Sequence, residues 1–271
     1  MKNVLITGFM PFGDYAENVS ELAATELKTI GDYNVHGLVF PVRIFPHRRV
    51  KHVINYSVNG KTRYYPQPVY NLNYGDMIIE KAKEINACAI ISLGMASDVK
   101  GIKIEAQAIN WVENQIYCLD SEQRKVVDET FILKKELRVN LDKCNLRKSS
   151  DIVSLIEKCH ESGFDCNISL SVDAGTFCCN ALMFRTLVAI SKRKCEIPYL
   201  FIHLPCSKEA VKNIPNFDRA KDFMSLEKLE KVLEVVLNHL DTEELAIDVI
   251  RRMNPGKIIP TGEELAKLLK N

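Results

Sequence analysis

A dominant charge is the first thing this 271-residue chain lacks: 36 Lys and Arg stand against 35 Asp and Glu, a net of +1. With no field of one sign, neither nucleic acid nor an anionic membrane is expected as a partner, and a small, weakly charged ligand is. Long apolar runs are also lacking near the start, where "MKNVLITGFMPFG" puts only Val4, Leu5 and Ile6 in sequence before Thr7 and Gly8. That is too short for a signal-peptide core or a membrane span. Paired C-x-x-C ligands are missing. A metal site built from Cys178, Cys179, His203 and Cys206 has zinc-like spacing only between His203 and Cys206, so no metal is expected. The early glycines of "GFMPFG" have neither the G-x-G-x-x-G order nor a following Lys-Ser/Thr, which excludes a phosphate loop. Cysteine itself is plentiful. Nine thiols, an odd number, in a chain without an export signal read as reduced, and the cytoplasm is the expected compartment.

What is present alternates between strand and helix. Asn3 to Ile6 reads as a buried strand entering a tight loop at Gly8, Pro11 and Gly13, with Phe9 and Phe12 on that loop. "SELAATEL" from Ser20 suits a helix with a Ser cap, and Val35 to Val39 another strand. The Asn-, Tyr- and Pro-rich stretch from 59 to 75 reads as an insertion, a long loop or small excursion outside the core. A helix from Gly75 to Ile85 leads into a continuous apolar strand, Ala87 to Leu93, ended by Gly94. Gly101 to Trp111 reads as one strand with Glu105 on the face opposite Ile102, Ile104 and Ala106. A helix from Ser150, a strand from Ile168 to Val172, a helix from Phe177 to Ile190, a strand from Pro198 to Leu204 and helix from Ser225 complete the pass. This order predicts an α/β chain, a three-layer α/β/α sandwich around a largely parallel or mixed central sheet.

The chemistry concentrates at "SVDAGTFCCNALMF", where a strand ends at Asp173, turns through Ala174 and Gly175, and opens a helix near Cys178. A thiol at a helix N-terminus meets the positive end of the macrodipole and unpaired N–H groups, which favour thiolate and are placed to hold an oxyanion. A vicinal Cys pair is by itself more often buried packing than a reagent. The rest of the chain supplies partners. His203, in "YLFIHLPCS", ends an apolar strand where side chains emerge at a sheet edge, and a histidine is the base a thiol needs. Glu105, a lone carboxylate in an apolar strand, is placed to orient that imidazole, with a solvated strand residue as the alternative.

Four segments in order, "TGFMPFG" at 7–13, "IEAQAIN" at 104–110, "AGTFCCN" at 174–180 and "FIHLP" at 201–205, resemble the successive motifs of the pyroglutamyl peptidase I family. The resemblance implies a cysteine peptidase that removes an N-terminal pyroglutamyl residue from small peptides through an acyl-enzyme. Carried over by motif, the nucleophile is Cys179 rather than Cys178, the base is His203, and Glu105 completes a Cys-His-Glu triad. Phe9 and Phe12, which on the residues alone read as loop packing, match two aromatic positions that clasp the flat lactam ring. A pocket built for a neutral lactam rejects an ordinary N-terminus, whose ammonium would be buried unpaired. The resemblance further implies an α/β/α sandwich, no metal or cofactor, and assembly as a homo-tetramer or dimer. It covers residues 1–240 as the catalytic domain, with the insertion near 59–75, and leaves 241–271 as a helical extension.

The chain departs from the family pattern at several points. Ala106 follows Glu105 where the family has Arg, Asp14 stands in place of a second Gly, and Gln115 opens "QIYCLDSE" where the family has an Arg-Ile-Pro-Asp-Asn segment. The replaced Arg is thought to lie near the catalytic centre, so Gln115 takes its place as a neutral donor in the substrate site. The loop "GMASDVKG" also has fewer glycines than its family counterpart. These departures keep a second expectation in view: a relative of altered specificity, or one that binds capped peptides without efficient turnover.

Overall fold

The computed structural model of the protein describes residues 1–42, 54–58, 61–65, 74–96, 99–109, 138–140, 149–164, 167–215, 217 and 222–253. The apolar run at the start forms β1 (Lys2–Phe9), buried from Val4 onward. The loop after it turns into α1 (Val19–Glu26). The cap of α1 is Asn18, not the expected Ser20: Asn18 has extended backbone and its side chain accepts the Ser20 N–H. Short β2 (Thr29–Ile30) and long β3 (Tyr33–Phe40) follow. Next come a hairpin of β4 (Ile54–Val58) and β5 (Lys61–Tyr65), α2 (Tyr74–Glu84), and β6 (Ala87–Met95). The hairpin, a separate two-stranded sheet, gives the first part of that stretch the form of a small excursion. Thr62, Tyr64 and Tyr65 suit a strand, and residues 66–73 lie outside the described residues.

The strand expected from Gly101 to Trp111 is split at Ala106, whose N–H donates to the Ser171 carbonyl. β7 (Ile102–Glu105) belongs to the main sheet, whereas β8 (Gln107–Ile109) pairs with β9 (Arg138–Asn140) in a sheet of its own. α3 (Ser149–Glu161), β10 (Ile168–Ser171), α4 (Cys178–Arg193), β11 (Tyr199–Leu204) and α5 (Leu226–Met253) complete the order. α5 starts where the Ser225 hydroxyl accepts the Lys228 N–H at 3.1 Å, an N-cap bond.

The seven-stranded sheet runs β10-β7-β11-β6-β1-β3-β2. β11, β6, β1 and β3 are mutually parallel; β7 runs against β11 and carries β10 with it, and β2 runs against β3. The sheet is therefore mixed. α2 packs on α4, while α5 packs against α1 and α3, which gives the three-layer α/β/α sandwich. β1, β6 and β11 are buried nearly throughout, as strands covered by helices on both faces must be. No described helix is long and apolar enough to cross a membrane.

The direction of β7 and β10 positions the site. Both are four-residue strands, so their carboxyl ends stop partway along β11: Glu105 is opposite Phe201, not opposite an end of that strand. Functional side chains thus gather where two opposed sets of strands overlap rather than along one carboxyl edge.

Candidate active site

Behind β10 the chain makes a tight polar turn. The Ser171 hydroxyl accepts the Asp173 N–H at 3.2 Å, and Asp173 Oδ1 accepts the Gly175 N–H at 2.9 Å. Gly175 has φ +76°, a conformation glycine adopts without the Cβ penalty. α4 then begins at Cys178, which makes Cys179 its second residue, with no acidic side chain in the first turn. The N–H groups of a first turn have no intrahelical acceptor, and they face this thiol's surroundings with the positive end of the helix dipole.

His203 stands on β11 with Gly94 beside it in the parallel register of β6. Its Nδ1 is 2.7 Å from Glu105 Oε1, across 98 residues of sequence. Glu105 is fully buried, which settles its alternative reading as a solvated strand residue. With Nδ1–H donating to this carboxylate, Nε2 is the ring nitrogen left for the thiol. The Phe201 ring meets the imidazole edge-on, with centroids 5.1 Å apart. Burial alone would depress His203. The charge and hydrogen bond of Cys179, with those of Glu105, outweigh it and push the imidazole up to about 10. Cys179, His203 and Glu105 are therefore brought together. Glu105 Oε2 is buried with no hydrogen-bond partner among the described residues.

The neighbouring thiol is turned elsewhere. Cys178 lies among α2 and α4 groups: burial pushes its thiol up, the charge of Cys179 adds to this, and Arg185 acts in the opposite sense. The same Arg185 lies over the Tyr74 ring, 5.9 Å from its centroid. The two cysteines thus divide, one toward the imidazole and one into helix packing.

Phe9 and Phe12 sit at the other side of β6. Phe9 ends β1, is 3 % exposed, and belongs to the core. Its N–H donates to the Ser20 hydroxyl at 3.0 Å. Phe12 is half-buried against the core and tilts on Tyr15, centroids 5.0 Å apart. Their loop is tied to the segment after β11: the Ser207 hydroxyl donates to Glu17, and the Ala16 N–H to the Ala210 carbonyl at 3.0 Å. Gln115 lies outside the described residues. Among the described residues no group of three or more His, Cys, Asp or Glu is arranged to hold a metal ion.

Two residues of the site were not singled out from sequence. β6 does not end at Gly94 but continues to Met95, and a Cβ at Gly94 would stand 2.8 Å from Cys179 Sγ. Phe201 supports the imidazole from the same strand. A glycine inside an otherwise apolar strand was the available signal, since it marks a close approach.

Comparison with known proteins gives a consistent picture. A family described as "Pyroglutamyl peptidase" matches residues 68–242. The pyrrolidone-carboxylate peptidase of Oceanobacillus iheyensis is 29% identical over 249 residues, 89% of this chain and 100% of the relative. That of Halalkalibacterium halodurans is 28% identical over 209 residues, 76% and 85% of the two chains. Among solved structures, pyrrolidone carboxyl peptidase from Thermococcus litoralis superimposes with a TM-score of 0.62 at 25% identity, covering 96% of this chain and 100% of that one. A variant of the Pyrococcus furiosus protein, at 23% identity and a TM-score of 0.62 over 89% and 99% of the chains, shares the fold.

Proposed function

The chain belongs to the pyroglutamyl peptidase family, and from that membership we propose that it is an omega-peptidase removing N-terminal pyroglutamyl residues through Cys179, His203 and Glu105. The observation that carries this reading is the buried 2.7 Å pair of His203 and Glu105 with its second face on Cys179. In the reaction His203 Nε2 already holds the proton drawn from Cys179, and the sulfur attacks the pyroglutamyl carbonyl. The C–N bond breaks, the imidazolium gives its proton to the departing amine, and a thioester remains. Water, deprotonated by the same nitrogen, then releases pyroglutamate and restores the thiol. Glu105 holds the ring and offsets its positive charge. The N–H groups opening α4 are the donors for the oxyanion. Gln115 replaces a charged donor with a neutral one, and losing such a donor lowers turnover by about a hundredfold to a thousandfold.

Substrate choice in this reading rests on Phe9 and Phe12 as the aromatic rings for the flat lactam, Phe9 from the core and Phe12 half-buried on the loop. Residues 1–240 act as the catalytic unit and 241–271 as an extension, a division supported by the end of the family match at 242. Homo-tetramer or dimer assembly, checked by light scattering, and a cytoplasmic site, checked by cell fractionation, belong to the same reading. The test is release of a fluorophore from its pyroglutamyl amide and from the matching alanyl amide. Native protein is expected to cleave only the first, and Cys179→Ala neither. If the native chain cleaves neither yet binds the pyroglutamyl amide by calorimetry, the second reading replaces the first: a capped-peptide binder, favoured by Ala106 and Gln115.

A further inference from the structure

Gly94 pairs with His203 between β6 and β11. A methyl carbon built there stands 2.8 Å from Cys179 Sγ, 3.1 Å from Phe201 Cζ and 3.2 Å from His203 Cδ2. Ordinary carbon contacts lie at about 3.5–4.0 Å, so the first approach is a collision and the others leave no slack. Gly94 is not among the glycines with positive φ. Its backbone suits any residue, and the demand for glycine here comes only from what surrounds it.

The neighbours have little room to give way. Phe201 is fully buried, and His203 is held by its bond to Glu105. Cys179 rides on α4, whose backbone packs on α2. Of the three, the sulfur is the group nearest the added atom and the one not pinned by a strand. It would be displaced from the imidazole.

We propose that Gly94 is a positioning residue of this site, whose missing side chain sets how closely the Cys179 sulfur approaches the His203 ring. The proposal rests on the reading of these two groups as nucleophile and base. Among the described residues, the charged groups about the pair are Glu105 on β7, and Lys103, which faces His203 in the β7–β11 register; on α4, Arg185 acts on Cys178 instead.

Gly94→Ala tests this in three ways. Turnover of the pyroglutamyl amide is expected to fall about a hundredfold in kcat, the loss typical of an ångström of misplacement, with KM little changed. The His203 ring resonance, assigned by its loss in His203→Gln, is expected to titrate at lower pH than in the native chain, because the partner that raises it has withdrawn. The fall in Tm caused by Gly94→Ala is expected to shrink when Cys179→Ala removes the sulfur. Ile91→Val, a core truncation on the same strand, should lower Tm without moving the histidine titration. Native kcat and titration in Gly94→Ala, or an equal Tm loss with and without the sulfur, would overturn the proposal. Should Gly94→Ala fail to fold, its combination with Cys179→Ala must fold, or the sulfur is not the obstacle. If the native chain shows no turnover, the titration and the Tm comparison still decide the role of Gly94, and only the peptidase reading is lost.

Discussion

At the scale of single residues, Cys178 and Cys179 differ by where α4 points them. Burial holds the Cys178 thiol neutral, and a neutral thiol is a poor nucleophile. In Cys179→Ala, mass spectrometry after iodoacetamide at pH 8 is expected to find Cys178 largely unmodified, while native protein is labelled at Cys179. Cys178→Ala should cost about 1 kcal/mol of stability and leave turnover in place. His203 carries a pH signature of its own. Its folded value, about 10, lies above the unfolded value of about 6.5, so between them the native state holds the extra proton. The stability this gives is fully present below about 6.5 and is lost as pH rises toward 10. Tm of the native chain should therefore fall more steeply over that window than Tm of His203→Gln, and parallel curves would refute the assignment.

At the scale of elements, the loop carrying Phe12 is fastened by the cap of α1. Asn18 Oδ1 accepts both the Ser20 N–H at 3.0 Å and the Ser20 hydroxyl at 2.7 Å, and its amide donates to the Met10 carbonyl at 3.2 Å. Asn18→Ala removes a cap and strands a buried hydroxyl and carbonyl, at a cost of about 2 kcal/mol by urea unfolding. If Phe12 closes on substrate, the same change raises KM more than it lowers kcat. Sequence was a good guide to elements wherever apolar runs were long: β1, β6, β10, β11, α2 and α4 differ from their expected bounds by a few residues at most. It failed where neighbours in space decide. Ser20 looked like a cap because Ser caps helices, but it is used as a bridge between Asn18 and the Phe9 N–H. At Ala106 the pairing with β10 ends on the Ser171 carbonyl, and from Gln107 the chain pairs with β9 instead, partners contributed from far along the chain. Likewise Glu105 and His203 were legible as types at strand ends, but Gly94 was not, since its role is defined by atoms from α4 and β11.

At the scale of the whole molecule, the near-zero net charge and the mixed sheet bear on where catalysis is contained. α5 continues unbroken from Leu226 to Met253, past the end of the proposed catalytic unit, and Leu229, Val232, Leu233, Val236, Leu237 and Leu240, before residue 241, are buried in the core. A chain ending at Leu240 is expected to keep kcat within about threefold, with a lower Tm because a shortened helix loses its last turns. Loss of turnover without loss of fold would move the extension into the working part of the molecule.

The place of β11 in the sheet also has a meaning in time. It lies between β6 and β7, so until it is added the strands already made form two separate pieces, β6-β1-β3-β2 and β7-β10. On the ribosome these pieces must wait for the chain to reach residue 204 before they can join, and non-local closures of this kind are slow. The same strand delivers His203. In the proposed reading, completion of the sheet and the pairing of Cys179 with its base are therefore one event, and a nascent chain carries an idle cysteine until its fold is nearly finished.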